Sequence, residues 1–247
     1  MTRSKTDPPK TALVIPVYNH SATLREVTIG ASKFHHPVIV VDDGSLDHPG
    51  RAVEGLDIHM VRHPRNMGKG TAILTGTRKA RDLGMTHIVT LDADGQHDPG
   101  DIPLFLTEMA AHPFAIVIGK RDFNHSSAPA SSRVGRHISN FWFLVETGRS
   151  ISDAQSGFRA YPIRVLEMLK LREQRYTFEI EVLVKAAWAG VPLREVNVST
   201  HYAPGDQRVS HFHLFKDNVR LSFLNARLFM RALITIPHKK RLKRRNR

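Results

Sequence analysis

The sequence predicts an α/β fold in which a mostly parallel sheet is flanked by helices. In the first half of the chain, short apolar runs rich in β-branched residues alternate with segments of helical periodicity, as in proteins built from parallel strands and crossover helices. Four of these runs end in polar turns. Open sheets of this kind bind ligands at the carboxyl ends of their strands, so the turns are expected to meet at one edge. The 247 residues, 41% of them hydrophobic, suffice for one large core.

Five strands and three helices are predicted in the first half. The strands are Ala12–Val17, Val38–Val41, Ile58–Arg62, His87–Leu91 and Ala115–Gly119. The helices are Ser21–Lys33, Gly68–Leu83 and Pro99–Ala111. Ser21 is suited to capping the first helix, because a hydroxyl can accept a bond from a free N–H of the first turn. Gly84 suits the C′ position that ends the second helix.

The second half has a less regular pattern. Its predicted elements are a helix near Val134–Thr147, a loop entering a strand at Asp153–Tyr161, helices at Arg164–Leu171 and Phe178–Trp188, and a strand at Val191–Ser199. Leu214–Ile234 predicts one amphipathic helix with separate basic and apolar faces. We therefore expect a flexible N-terminus (1–10), a main domain (11–213), an amphipathic helix (214–236) and a basic tail (237–247).

Composition narrows the compartment and the partners. The chain has no cysteine, which excludes disulfides and thiolate metal sites and suits the cytoplasm. Its start lacks the apolar core of a signal peptide, and its apolar runs are shorter than the roughly 18 residues of a membrane span. The net charge of +13 indicates an anionic partner, and residues 238–247 carry seven Lys and Arg. Basic and aromatic residues are not interleaved, so we expect no nucleic acid and favour an anionic membrane surface.

The segment Leu91-Asp92-Ala93-Asp94-Gly95-Gln96-His97 carries the strongest chemical signal. Two carboxylates leave the fourth strand one residue apart, where a divalent cation can bridge them to a diphosphate. The alternative is an Asp-rich turn that caps the helix beginning near Pro99.

Three other turns support a ligand at this edge. They are Pro16-Val-Tyr-Asn19, Val41-Asp-Asp-Gly-Ser45 and Asn66-Met-Gly-Lys-Gly70. The last is not a nucleotide-binding P-loop, because His63 stands where that motif needs glycine. Lys69 could still neutralise a phosphate near a helix N-terminus, or simply be a solvated lysine.

In combination, these four motifs and Asp153-Ala-Gln-Ser-Gly-Phe-Arg159 resemble those of family 2 glycosyltransferases of the GT-A fold. The resemblance runs from about Thr11 to Asn218 and is strongest to the polyprenyl-phosphate branch typified by dolichol-phosphate mannosyltransferase. The chain is also similar to short glycosyltransferases of bacterial aryl-polyene-type lipid clusters, through Ser210-His-Phe and Asp217-Asn-Val-Arg220.

The resemblance implies a donor site. Pro16, Tyr18 and Asn19 would line the nucleotide pocket. Asp42 would accept a hydrogen bond from the base, with Asp43 beside it, and Lys69 would lie near the base or ribose.

The resemblance also implies the catalytic centre. Asp92 and Asp94, with Gln96, would hold Mg²⁺ or Mn²⁺ against the diphosphate, which makes Asp94 catalytic as well. Asp153 would be the second catalytic residue, as general base for a hydroxyl acceptor or as an orienting group for a phosphate acceptor. Glu181 is either a site residue or an exposed helix glutamate.

One segment departs from the branch. Its usual Arg-x-x-Gly-x-Ser-Lys is replaced by Gly205-Asp-Gln-Arg-Val-Ser-His211, so Arg208 is displaced and His211 stands in place of the lysine. This leaves the acceptor class open.

The expected function is metal-dependent, inverting transfer of a hexose from a GDP- or UDP-linked donor to a lipid-linked or polyprenyl-phosphate acceptor. The protein would act peripherally on the cytoplasmic face of the membrane. Two alternatives are a basic nucleic-acid-binding protein and a nucleotidyltransferase, although the latter commonly has a Gly-rich signature after the first strand, where Pro16-Val-Tyr-Asn19 stands.

Overall fold

A seven-stranded sheet organises the protein, for which this computed structural model describes residues 8–122, 130–201 and 221–233, with side chains omitted at 130–132. The strands are β1 (Thr11–Val17), β2 (Val38–Asp42), β3 (His59–Arg62), β4 (His87–Thr90), β5 (Ile116–Arg121), β6 (Arg159–Pro162) and β7 (Leu193–Val198). Their order across the sheet is β3-β2-β1-β4-β6-β5-β7. Strand β6 runs antiparallel to both of its neighbours, and the other pairs are parallel. The mostly parallel α/β fold is confirmed.

Helices cover both faces of this sheet. They are α1 (Ser21–Ser32), α2 (Pro49–Ala52), α3 (Lys69–Asp82), α4 (Ile102–Ala111), α5 (Ala130–Thr147), α6 (Ile163–Met168) and α7 (Phe178–Ala189). Residues 221–233 form a further helix, α8. Along β1, Val14 joins a core cluster with residues of α3 and α7, whereas Leu13 and Ile15 join a second cluster with residues of α1 and α4. Burial on both faces explains why the central strands are continuous apolar runs.

The predicted elements are found with small changes at their ends. Gly84 occupies the C′ position after α3 with φ +76°, as predicted. The capping role of Ser21 is wrong: His20 is the N-cap of α1 and makes no side-chain cap bond, while the N–H of Ser21 donates to the Asp47 carboxylate at 2.7 Å. The predicted helix at Pro99 begins as a 3₁₀ turn (Pro99–Asp101), because Asp98 accepts from the N–H of Gly100 and tightens it.

Part of the C-terminal prediction lies outside the described residues. Of the predicted helix 214–236, residues 221–233 are helical. The loop containing Arg208 and His211, residues 1–7 and the basic tail are not among the described residues. Within the described part of the chain, no helix is both long and apolar enough to span a membrane.

A buried acid on α5 predicts a pH-dependent stability. Glu146 is fully buried. Among the described residues, neither of its carboxylate oxygens has a hydrogen-bond partner. Burial raises the pKa of Glu146 to about 8, so the folded protein holds a neutral acid there at pH 7. Because the folded pKa lies above the unfolded one, stability is fully present below the unfolded pKa and is lost as pH rises through 8.

We therefore expect Glu146→Gln to match the parent protein in thermal unfolding at pH 5 and to melt several degrees higher at pH 9. Glu167→Gln, at a half-exposed residue paired with Arg81, is the control and should show no such trend. A stability difference that stays constant between pH 5 and pH 9 would contradict this account.

Candidate active site

A cavity of about 450 Å³ lies at the carboxyl edge of β1, β2 and β4. This volume is within the usual range for small-molecule sites. Seven of the residues predicted from the sequence line it: Pro16, Tyr18, Asn19, Asp43, Lys69, Asp92 and Asp94. The four polar turns therefore meet at the carboxyl edge of the sheet, as the strand pattern predicted. Asp42, Gln96 and Asp153 do not line the cavity.

Lys69 is clamped between two carboxylates. It is the first residue of α3, and its Nζ lies 2.7 and 2.9 Å from the two oxygens of Asp92 and 2.7 Å from Oε1 of Glu179. Burial by itself lowers the pKa of Lys69, but the two carboxylates outweigh burial and raise that pKa. Burial by itself raises the pKa of Asp92, but the positive charges around it, Lys69 first and then His97 and Arg121, together lower that pKa. Both side chains are therefore ionised, and Lys69 contacts a carboxylate of the predicted metal site.

Asp94 has a different electrostatic environment from Asp92. Burial and the charge of Asp92 raise the pKa of Asp94 to about 6. Its Oδ1 accepts the backbone N–H of Gln96 at 3.0 Å. A nearby divalent cation would favour the ionised form of Asp94.

The donor set fits a hard cation with substrate ligands. No group of three His, Cys, Asp or Glu side chains within the described ranges could hold a metal ion. Magnesium, however, is commonly bound by one or two carboxylates together with substrate phosphates and water. Asp92 and Asp94 face one cavity and supply such a pair. The backbone N–H of Gln96 donates to the Asp94 carboxylate, and the Gln96 carbonyl accepts from the N–H of His201 at 2.8 Å.

Glu179 is a site residue that the sequence reasoning missed. Both glutamates at the start of α7 were visible in Phe178-Glu-Ile-Glu181, but only Glu181 was considered. Glu181 is fully buried and accepts the backbone N–H groups of Arg172 and Glu173, both at 2.8 Å. It therefore holds the segment before α7, and the expectation of an exposed helix glutamate is wrong. Glu179 contacts the site through its ion pair with Lys69.

The loop from Asp153 to Gly157 approaches the Asp92–Lys69 pair at its last residue. A Cβ placed on Gly157 would collide with the Asp92 carboxylate and the Lys69 ammonium, so glycine lets the backbone pass between α7 and this pair. The fully buried Arg159 fixes the loop by donating to the carbonyls of Ala154, Ser156 and Glu179 at 2.8, 2.6 and 2.8 Å.

The two aspartates after β2 have separate roles. Asp42 is fully buried, accepts the N–H of Ser45 at 2.8 Å and lies 3.4 Å from Nε of Arg62. Asp43 faces the cavity, but its oxygens accept the N–H groups of Met67 and Gly68 at 2.8 and 2.7 Å. Asp42 is therefore buried beside the cavity edge without lining it, and Asp43 holds the Asn66–Gly68 turn.

Asp153 is paired with an arginine. Its carboxylate is fully buried and accepts Nε and Nη2 of Arg121 at 2.7 and 2.9 Å. A bidentate ion pair of this kind fixes the guanidinium. Arg121 ends β5 and lies close enough to lower the pKa of Asp92 and Asp94. This geometry suits an orienting role for Asp153 better than proton abstraction.

Comparison with known proteins gives a consistent result. Residues 12–169 match the family described as Glycosyl transferase family 2. The UDP-N-acetylglucosamine–dolichyl-phosphate N-acetylglucosaminyltransferase of Methanococcus voltae is 30% identical over 213 residues, covering 77% of this chain and 85% of that protein. The undecaprenyl-phosphate mannosyltransferase of Micrococcus luteus is 28% identical over 200 residues, covering 75% of this chain and 81% of that protein.

A solved structure shares the fold. Glucosyl-3-phosphoglycerate synthase from Mycobacterium tuberculosis, in complex with Mn²⁺, UDP and glucosyl-3-phosphoglycerate, superposes with a TM-score of 0.64 at 17% identity. The match covers 92% of this chain and 79% of that one. The chain belongs to glycosyl transferase family 2, and the family predicted from its motifs is confirmed.

Proposed function

We propose that this family 2 glycosyltransferase transfers a hexose from a nucleoside diphosphate to a polyprenyl-type phosphate, with Mg²⁺ or Mn²⁺ at Asp92 and Asp94. One observation carries the proposal: both carboxylates and the Lys69 ammonium face one cavity of nucleotide-binding size at the carboxyl edge of the sheet. The names of the two relatives, which act on dolichyl and undecaprenyl phosphates, support the acceptor class. The Mn²⁺ and UDP in the synthase complex support the metal and the diphosphate.

On the donor side, the chain's own residues bind and hold the leaving group. Tyr18 and Asn19 line the cavity and would contact the nucleoside, and the turn fixed by Asp43 would lie beside it. When bound, the cation would neutralise charge that develops on the departing diphosphate. Lys69 would add a second positive charge at the same end. A uridine- or guanosine-linked hexose fits this arrangement.

On the acceptor side, Arg121 offers a cation for an anionic acceptor. Asp153 holds this guanidinium in a fixed orientation. A phosphate oxygen is already a nucleophile at neutral pH, so no general base is needed. The oxygen would bond to the anomeric carbon as the bond from that carbon to the diphosphate breaks, and this single displacement inverts the configuration.

A donor screen tests the proposal. The full-length protein would be incubated with Mn²⁺, undecaprenyl phosphate and each of several UDP- and GDP-linked hexoses, and the nucleoside diphosphate released would be measured. We expect one donor class to be consumed, faster with the lipid phosphate than without it, with sugar recovered on the lipid. Absence of turnover with every donor, or sugar transfer only to a non-phosphorylated lipid, would contradict the proposal.

We also propose that the protein works peripherally on the inner face of the membrane. The proposed acceptor would be anchored in a membrane, and the excess of basic residues favours an anionic leaflet.

A further inference from the structure

Helix α5 turns apolar side chains outward. Val134, Ile138, Phe141 and Leu144 are 57, 48, 58 and 48% exposed. At about 100° per residue these four lie within an arc of about 120°. Facing the protein instead are the buried Ser139 and Glu146, together with Phe143. A surface helix normally has the opposite arrangement, with its apolar stripe towards the core.

Helix α8 presents a second apolar stripe. Its inner residues Leu224, Leu228 and Ala232 are buried, and the first two share a core cluster with Phe143 of α5. On its outer side, Phe223, Met230 and Leu233 are 74, 62 and 54% exposed. The two helices also meet through Trp142 and Phe229, whose ring centroids lie 6.5 Å apart. Two neighbouring helices thus both expose apolar rows.

We propose that these two rows, Val134, Ile138, Phe141 and Leu144 of α5 with Phe223, Met230 and Leu233 of α8, form a docking face for an anionic phospholipid surface. Adjacent rows of large apolar side chains differ from the scattered single residues that are normal on a protein surface. Helices with this pattern lie in the membrane interface with their apolar side among the lipids.

The positive charge near the docking face favours an anionic partner. Arg133 of α5 and Arg231 of α8 are exposed next to the two rows. The chain after α8 contains seven further Lys and Arg between residues 239 and 247. Basic residues near an anionic leaflet are attracted to it. A second copy of this chain, carrying the same positive charge, would be repelled at this face.

Docking here would bring the catalytic cavity to a lipid-held acceptor, and this consequence rests on the proposed function. Binding to vesicles does not rest on the proposed function, because it requires no donor, metal or turnover.

Substitution of Phe141 tests the docking face, with a matched control. Phe141 and Phe114 are both 58% exposed, and Phe114 lies between α4 and β5, outside the docking face. Full-length Phe141→Glu should bind vesicles of phosphatidylglycerol and phosphatidylcholine at least about tenfold more weakly than the parent protein, whereas Phe114→Glu should bind as the parent does. Met230→Glu should repeat the loss on α8. Added salt should weaken binding of all proteins but leave Phe141→Glu weaker than Phe114→Glu, because both carry the same added charge and lipid contact by an apolar side chain is not screened.

Tryptophan fluorescence supplies a direct readout. The chain has two tryptophans, and Trp142 lies beside the exposed row whereas Trp188 donates to the carbonyl of Glu146. Lipids brominated on their acyl chains should quench the parent protein, and Trp142→Phe should abolish this quenching.

Three results would overturn the docking face. The first is equal vesicle binding by Phe141→Glu and the parent protein, and the second is quenching that persists in Trp142→Phe. The third is a parent protein that is dimeric by light scattering and becomes monomeric in Phe141→Glu without any change in vesicle binding. Release of nucleoside diphosphate from a soluble donor, measured on the same proteins, distinguishes failure of the docking face from failure of the proposed function. If no donor is consumed by any of them while Phe141→Glu still loses vesicle binding, the proposed function fails and the docking face stands.

Discussion

Asp94→Asn is expected to lose on the order of 10²-fold or more of turnover while the protein keeps its fold. Asp94 lines the cavity beside Asp92, and its pKa is raised first by desolvation and then by the negative charge of Asp92. Asparagine keeps the shape of the side chain and its bond to the N–H of Gln96, but it removes the charge that would hold a divalent cation. Donor turnover would be measured across a range of Mn²⁺ concentrations.

The control for this substitution is Asp82→Asn, at an exposed carboxylate that ends α3. It should leave turnover and its dependence on Mn²⁺ unchanged. Full activity of Asp94→Asn in the presence of EDTA would rule out the proposed role of the carboxylate pair.

Gly157→Ala should reduce turnover by about 10²-fold with little loss of thermal stability. The added methyl group would meet the Asp92 carboxylate and the Lys69 ammonium, so at least one of the two must move. A displacement of about 1 Å in a reacting group can cost this much. Turnover and the melting temperature would be measured on the same preparation.

Gly50→Ala is the matched control, since the nearest atoms to its Cβ would be those of the Met60 side chain at 3.4 and 3.5 Å. It should keep full turnover. If Gly157→Ala were as active as the parent protein, the close contact around Asp92 and Lys69 would have no role in the reaction.

The sequence predicted those parts of the fold and site that depend on local pattern. Asp92, Asp94 and Lys69 were found because each directly follows a strand or begins a helix, and parallel strands bring such residues to one edge. Gly84 was placed correctly because a helix end needs a residue with positive φ.

The parts that were missed depend on contacts between distant segments. Glu179 and Glu181 lie two residues apart on α7, and only the packing of α7 against α3 and the loop before it determines which one meets Lys69. The partner of Asp153 is 32 residues away, at the end of β5. The sequence also drew attention to the amphipathic C-terminal helix alone, whereas the outward apolar row of α5 becomes visible only when its inner face is known.

The reversed strand β6 acts as a spacer between Asp92 and Arg121, the residues proposed for the donor and the acceptor. Its first residue, Arg159, pairs with Thr90 on β4 and with Ile118 on β5. Strand β4 leads into Asp92, and β5 ends in Arg121. One short strand therefore sets the separation of these two strand ends through its hydrogen bonds to both neighbours. In the proposed reaction, the reach between the leaving group and the incoming nucleophile would be fixed by the sheet itself, and the surrounding turns would be free to vary with the substrates.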